Sequence, residues 1–93
     1  MRTLEHTSQF KQDYKREKRG QRGKNLEQEI KVILQFLLND LPPTRRYDDH
    51  PLSGQWKGFR DCHVRPDLIL IYRNRGSSVL QLVRLGSHSE LGL

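Results

Sequence analysis

One cysteine in 93 residues, Cys62, has no partner within the chain, which excludes an internal disulfide framework and fits a reducing compartment. No apolar stretch approaches the ~20 residues that a membrane-spanning helix needs. The opening residues MRTLEHTSQF contain no apolar core of a secretory leader. These absences predict a cytoplasmic protein with no membrane partner. Hydrophobic residues are scarce, at 33%, but they gather in two blocks, residues 26–41 and 68–85. That clustering argues for a folded chain with a polar surface and against disorder. A chain of this length buries only about 60–65% of its unfolded surface and builds one modest core. A single domain over 1–93 is expected, without repeats or low-complexity tracts.

Positive charge is what the chain has in excess. Seventeen Lys and Arg stand against eleven Asp and Glu, a net charge of +6. Such a balance favours polyanions, among them nucleic acid and the ribosome. Much of the charge lies early, at Lys11, Lys15, Arg16, Lys18, Arg19, Arg22 and Lys24. The glycines in RGQRGKN break the chain without forming a P-loop: the four-residue gap between glycines and the hydroxyl residue after Lys are both missing.

Residues 2–6 read as a short strand, and a helix from Thr7 or Ser8 to about Lys18 carries Phe10 and Tyr14 on a narrow apolar face. Leu26, Ile30, Ile33, Leu34, Leu37 and Leu38 recur at helical spacing and predict a second helix over 25–39, capped by Asn25 and stopped by Pro42 and Pro43. The second half reads as strands: FRDCHV, ended by Pro66, then LILIY as a central strand covered on both faces, then VLQLVRL after the turn at 74–77. The expected class is α+β, in the order β-α-α-β-β-β, with a small antiparallel-rich sheet and a helical hairpin on one face.

Titratable groups crowd the start of this second block. In 59–64, alternation turns Phe59, Asp61 and His63 one way and Arg60, Cys62 and Val64 the other. Cys62 and His63 then lie on opposite faces, which excludes a Cys–His nucleophilic dyad. Asp67 opens the next strand, His88 follows the last one, and His50 precedes the first, with Trp56 between two glycines. A meander can bring these groups to one edge of the sheet with Arg84 beside them. The intervals 50 to 63 and 63 to 88 match no zinc motif, and there is no cysteine set, so no metal or other cofactor is expected. The set suits RNA cleavage: an imidazole takes the 2′-hydroxyl proton, a second protonates the departing 5′-oxygen, and a guanidinium holds phosphate oxygens.

The tract DHPLSGQWKGFRDCHVRPDLILIY and the later LVRLGSHSEL resemble the YafQ-type mRNA interferase toxins of the RelE/ParE superfamily. The likeness is densest over residues 48–91. What it implies is the toxin of a type II toxin–antitoxin pair, an endoribonuclease that cuts mRNA in the ribosomal A site and leaves a 2′,3′-cyclic phosphate. Implied partners are a cognate antitoxin, the ribosome with its 16S rRNA, and mRNA, with operator DNA reached only through the antitoxin complex. His50, His63, Asp67, Arg84 and His88 match the family's catalytic positions. His88 would be the general acid, and Arg84 would lie near the scissile phosphate. His50, His63 and Asp67 would share base, orienting and positioning roles. Trp56, Lys57, Arg60, Asp61 and Arg65 are expected along the RNA path, and the early basic residues on a ribosome-facing surface. Two departures stand out: Gly92 and Leu93 occur where many relatives end in an aromatic, and Leu68 where some carry tryptophan. A ParE-like gyrase inhibitor and a non-catalytic nucleic-acid or ribosome-binding module are the rival readings.

Overall fold

The order of elements follows from where the chain can bury apolar surface. The computed structural model describes residues 2–20, 23–41 and 43–93. Strand β1 (Thr3–His6) leads into helix α1 (Ser8–Arg19), whose N-cap Thr7 accepts the Phe10 amide on its side chain. Helix α2 (Leu26–Leu38) buries Leu26, Ile30, Ile33 and Leu37 as its periodicity requires. Its start differs from expectation. Asn25 adopts a left-handed conformation (φ 63°) and makes no side-chain cap; its carbonyl accepts the Glu29 amide instead. Arg22 of the basic run and Pro42 lie outside the described residues.

After a 3-10 turn at Arg45–Tyr47 come β2 (His50–Pro51), β3 (Arg60–Arg65), β4 (Leu68–Arg75), β5 (Val79–Gly86) and the one-turn helix α3 (His88–Leu91). Five strands form one sheet in the order β1-β5-β4-β3-β2, with β1 parallel to β5 and the other pairs antiparallel. β4 is the middle strand, and all of LILIY is buried. On one face, Phe10 and the α2 stripe pack with Cys62, Val64, Leu68, Leu70, Tyr72, Leu80, Leu82 and Leu85. On the other, Ile69, Ile71 and Leu91 form a smaller cluster with Leu52, Trp56, Phe59 and Val83. Beside the smaller cluster this face carries an open cleft lined by His50, Asp61, His63 and His88.

Two irregularities decide on which face each of two arginines lies. Between β3 and β4, His63 stands opposite Ile69 and Arg65 opposite Leu68, which leaves Val64 without a partner position. Between β4 and β5, Ile71 stands opposite Arg84 and Tyr72 opposite Leu82, which leaves Val83 as the extra residue. Each extra residue reverses the two-residue alternation beyond it. Arg65 therefore joins the core face and pairs with Glu29 of α2, and Arg84 joins the face of Ile71.

β1 ends opposite Leu82, and α1 takes over the exposed edge of β5. Thr7 donates its amide to Leu82 O (3.0 Å) and its hydroxyl to Val83 O (2.8 Å). Asp13 accepts the Leu85 amide at 3.0 Å, and Arg16 donates to Leu85 O at 2.9 Å. Side chains of a helix thus satisfy the strand groups that would otherwise present an open edge. Asp13 is buried for this reason, and Glu17 is buried beside it, paired with Arg16.

Candidate active site

β2 and β3 are paired so that His50 stands opposite Asp61. His63, two residues along β3, shares that face. α3 starts directly after β5, with Ser87 and Glu90 in a reciprocal capping box, and this presents His88 beside His63. The His50 and His63 ring centroids are 6.4 Å apart and those of His63 and His88 5.4 Å. The three imidazoles therefore form a file along one wall of a cleft of about 540 Å³, lined also by Asp48, Asp61, Trp56 and Leu93.

Each outer imidazole has an acceptor at Nδ1. His50 Nδ1 lies 2.8 Å from the Asp48 carbonyl oxygen and 3.1 Å from Asp61 Oδ1. A carbonyl oxygen only accepts, so Nδ1 carries the proton and Nε2 keeps its lone pair in the neutral ring. His88 Nδ1 lies 3.2 Å from Asp67 Oδ1. Between them, His63 Nδ1 is buried without a hydrogen-bond partner among the described residues, 3.7 Å from the Asp48 carboxylate.

Asp61 is the most constrained group. It is buried, and its Oδ1, though 3.1 Å from His50 Nδ1, receives no hydrogen bond among the described residues, because that ring donates to the Asp48 carbonyl. Burial pushes its carboxyl above the usual range; attraction to His50 and His63 opposes that, and Asp48 and Asp49 reinforce it. The core-facing thiol of Cys62 is completely buried, which drives its pKa far up and removes it from any nucleophilic role.

Not all the expected residues gather here. Arg84 shares the face, two strands from Asp61 with Ile71 between them, but it does not line the cleft and is held by Asp13, Nε to Oδ2 at 2.8 Å. Arg60 lies on the opposite face, 3.1 Å from Asp49 and beside Tyr72. Arg65 is committed to Glu29 and to the Lys24 carbonyl. Neither arginine lines the cleft, although the resemblance implies both along the RNA path. Lys57 is exposed just beyond Trp56. Trp56 is both wall and brace: it packs edge-on against Phe59 and donates its indole N–H to Leu91 O at 3.2 Å, steadying α3. Lys11, Lys15, Arg16, Lys18, Arg19 and Lys24 are exposed or partly so along α1 and the loop after it. The residues missed by pattern are Asp48 and Asp49. Alternation continued back from His50 would have put Asp48 on its face and Asp49 on the other.

Among the described residues, no three His, Cys, Asp or Glu side chains converge as a metal-binding set. The arrangement is that of a small α+β protein with a histidine–carboxylate cleft on the open face of its sheet, suited to moving protons without a nucleophilic thiol. Residues 2–92 match the family described as "Bacterial toxin of type II toxin-antitoxin system, YafQ". The mRNA interferase toxin YafQ of Escherichia coli K12 is 38% identical over 91 residues, 97% of this chain and 95% of that one. The E. coli DinJ-YafQ complex contains a chain 39% identical that superposes with a TM-score of 0.82 over 98% of both chains. A metal-bound toxin from Helicobacter pylori is 40% identical, with a TM-score of 0.86 over 98% of this chain and 99% of that one. The chain belongs to the YafQ family, toxins of type II toxin–antitoxin systems.

Proposed function

We propose that this toxin is an endoribonuclease that cleaves mRNA in the ribosomal A site by metal-free acid–base catalysis, as a single domain over residues 1–93. The observation that carries the reading is the file of three imidazoles in one cleft, its two ends bonded through Nδ1 to fixed oxygen acceptors. An Nδ1 proton given to the Asp48 carbonyl leaves His50 Nε2 to accept a proton, the requirement of a general base. Asp67 holds the His88 ring through Nδ1, which leaves Nε2 to deliver a proton, the requirement of a general acid.

In the reaction, His50 takes the 2′-hydroxyl proton as the 2′-oxygen bonds to phosphorus. The P–O5′ bond breaks, His88 gives its proton to the 5′-oxygen, and the products are a 2′,3′-cyclic phosphate and a 5′-hydroxyl. His63, placed between the two, lines the cleft wall that faces the crowded phosphorane. Arg84, bonded to Asp13 through Nε and Nη2, turns its guanidinium charge to a phosphate oxygen arriving over Ile71. Trp56 and Leu93 supply apolar surface for a base. The basic face of α1 meets ribosomal RNA by charge, so binding weakens steeply with salt. A cognate antitoxin is the expected partner, as DinJ is for the E. coli relative, and operator DNA is reached through that complex.

Primer extension on a translated reporter mRNA tests the reading. Induction should produce cuts in frame with codons that depend on ribosomes, and His88→Ala should abolish them. Uniform cuts in ribosome-free RNA, or none at all from folded wild type, would overturn it.

A further inference from the structure

The segment carrying His50 is only two residues of strand, at the end of a sheet, preceded by a left-handed residue, Asp48 (φ 45°). Two ladder positions do not by themselves hold a catalytic ring. The residue between Asp48 and His50 passes to the other side. Asp49 accepts from the Tyr72 hydroxyl and from Arg60 Nη2 at 3.1 Å, and Arg60 Nε reaches the same hydroxyl at 3.4 Å. Asp49 retains 13% side-chain exposure and Tyr72 is buried in the main core. Arg60 and Tyr72 are themselves register partners on β3 and β4. The triangle therefore has two corners on strands inside the sheet and one on the loop.

We propose that Asp49 is a positioning residue for His50. Pinned to Tyr72 and Arg60 through the far face of the sheet, it fixes the Asp48–Asp49 peptide, whose carbonyl oxygen accepts the His50 Nδ1 proton. That bond selects which ring nitrogen is basic. Tyr72 suits the task because it stays protonated: burial raises its pKa, and the neighbouring Asp49 carboxylate raises it further, so the hydroxyl remains a donor throughout the physiological range. The assignment of His50 as base rests on the function proposed above, whereas the linkage between Asp49 and the His50 tautomer does not.

The test follows the His50 ring by nitrogen-15 NMR in the purified full chain, in wild type, Asp49→Ala, Asp49→Asn and Tyr72→Phe, alongside kcat and KM for the reporter mRNA. In Asp49→Ala and Tyr72→Phe, the His50 tautomer ratio and titration midpoint should change while those of His88 stay in place. kcat should fall about ten- to a hundredfold with KM nearly constant, the size expected for a small misplacement of a reacting group. Asp49→Asn, which still accepts from Tyr72, should recover most of both. Folded Tyr72→Phe with His50 unmoved in tautomer and midpoint would overturn the proposal, as would Asp49→Asn behaving like Asp49→Ala. If wild type cleaves nothing, the nuclease reading fails and the NMR result still decides this one.

Discussion

Arg84 on β5 and Asp13 on α1, 71 positions apart in sequence, form an ion pair of 2.8 Å at the edge of the sheet. The carboxylate is fully buried and also holds the Leu85 amide, so one side chain closes a strand edge and aims an arginine.

Removing Asp13 should cost both. Asp13→Ala is expected to destabilise the fold by about 3–5 kcal/mol, the usual result of leaving a partly buried cation and a strand amide without their partner. Asp13→Asn should cost less. Burial alone would raise the Asp13 pKa, but bonds from Arg84, Leu85 and Gln9 outweigh it and hold the group below the usual carboxylate value. Its contribution is therefore complete above the unfolded value of about 3.9 and is lost as pH falls through the lower folded one. Urea denaturation should show a constant gap between wild type and Asp13→Asn from pH 5 to 8, shrinking below about pH 4.

Asp61 should behave in the opposite sense. Its folded pKa is raised, so its ionisation opposes folding: stability falls as pH rises from about 3.9 through the folded value, and the penalty is complete above it. Asp61→Asn is expected to gain about 0.5–2 kcal/mol at pH 7 and nothing at pH 3, while cleavage drops. Thermal unfolding at the two pH values, with the reporter assay beside it, checks both halves. Lower stability at pH 7 would contradict the account.

His88 sits half-exposed on a one-turn helix, so its loss should spare the fold. His88→Ala is expected to lower single-turnover cleavage by roughly a hundred- to ten-thousandfold, as for other general acids, with stability changed by no more than about 0.5 kcal/mol. A growth-inhibition assay with matched soluble protein reads the same outcome in cells.

Leu93 lines the cleft and is 42% exposed, whereas Gly92 adopts a left-handed φ of 73° that a bulky residue would strain. An aromatic introduced as Leu93→Phe avoids that strain and offers a base a stacking surface. Stacking contributes about 1–3 kcal/mol in nucleic-acid sites, so KM for the reporter should fall, by up to about tenfold, with the cut sites unchanged.

Cys62, buried between β3 and α2, should resist iodoacetamide in the folded protein and react only upon denaturation. Cys62→Ala should leave cleavage intact, as measured against the His88→Ala control.

Much of this protein was legible before any coordinates. The α2 stripe, the buried LILIY strand, the opposed faces of Cys62 and His63 and the α+β order all follow from local periodicity, because helix and strand geometry repeat within a few residues. The tract from Asp48 to Asp67 and the later His88 were legible as chemistry because imidazole and carboxylate are rare companions in so short a span.

What tertiary structure alone decided is where phase and pairing changed. Alternation counts residues, and one extra residue at Val64 or Val83 inverts the count: Arg65 left the cleft's face for Glu29, and Arg84 moved onto the cleft's face. The burial of Asp13, the anchoring of Asp49 through the sheet and the 5.4 Å approach of His63 to His88 depend on contacts between elements far apart in sequence. Composition and spacing dictated which groups the protein owns; only the closed packing of α1 and the sheet edges could dictate which of them share a proton.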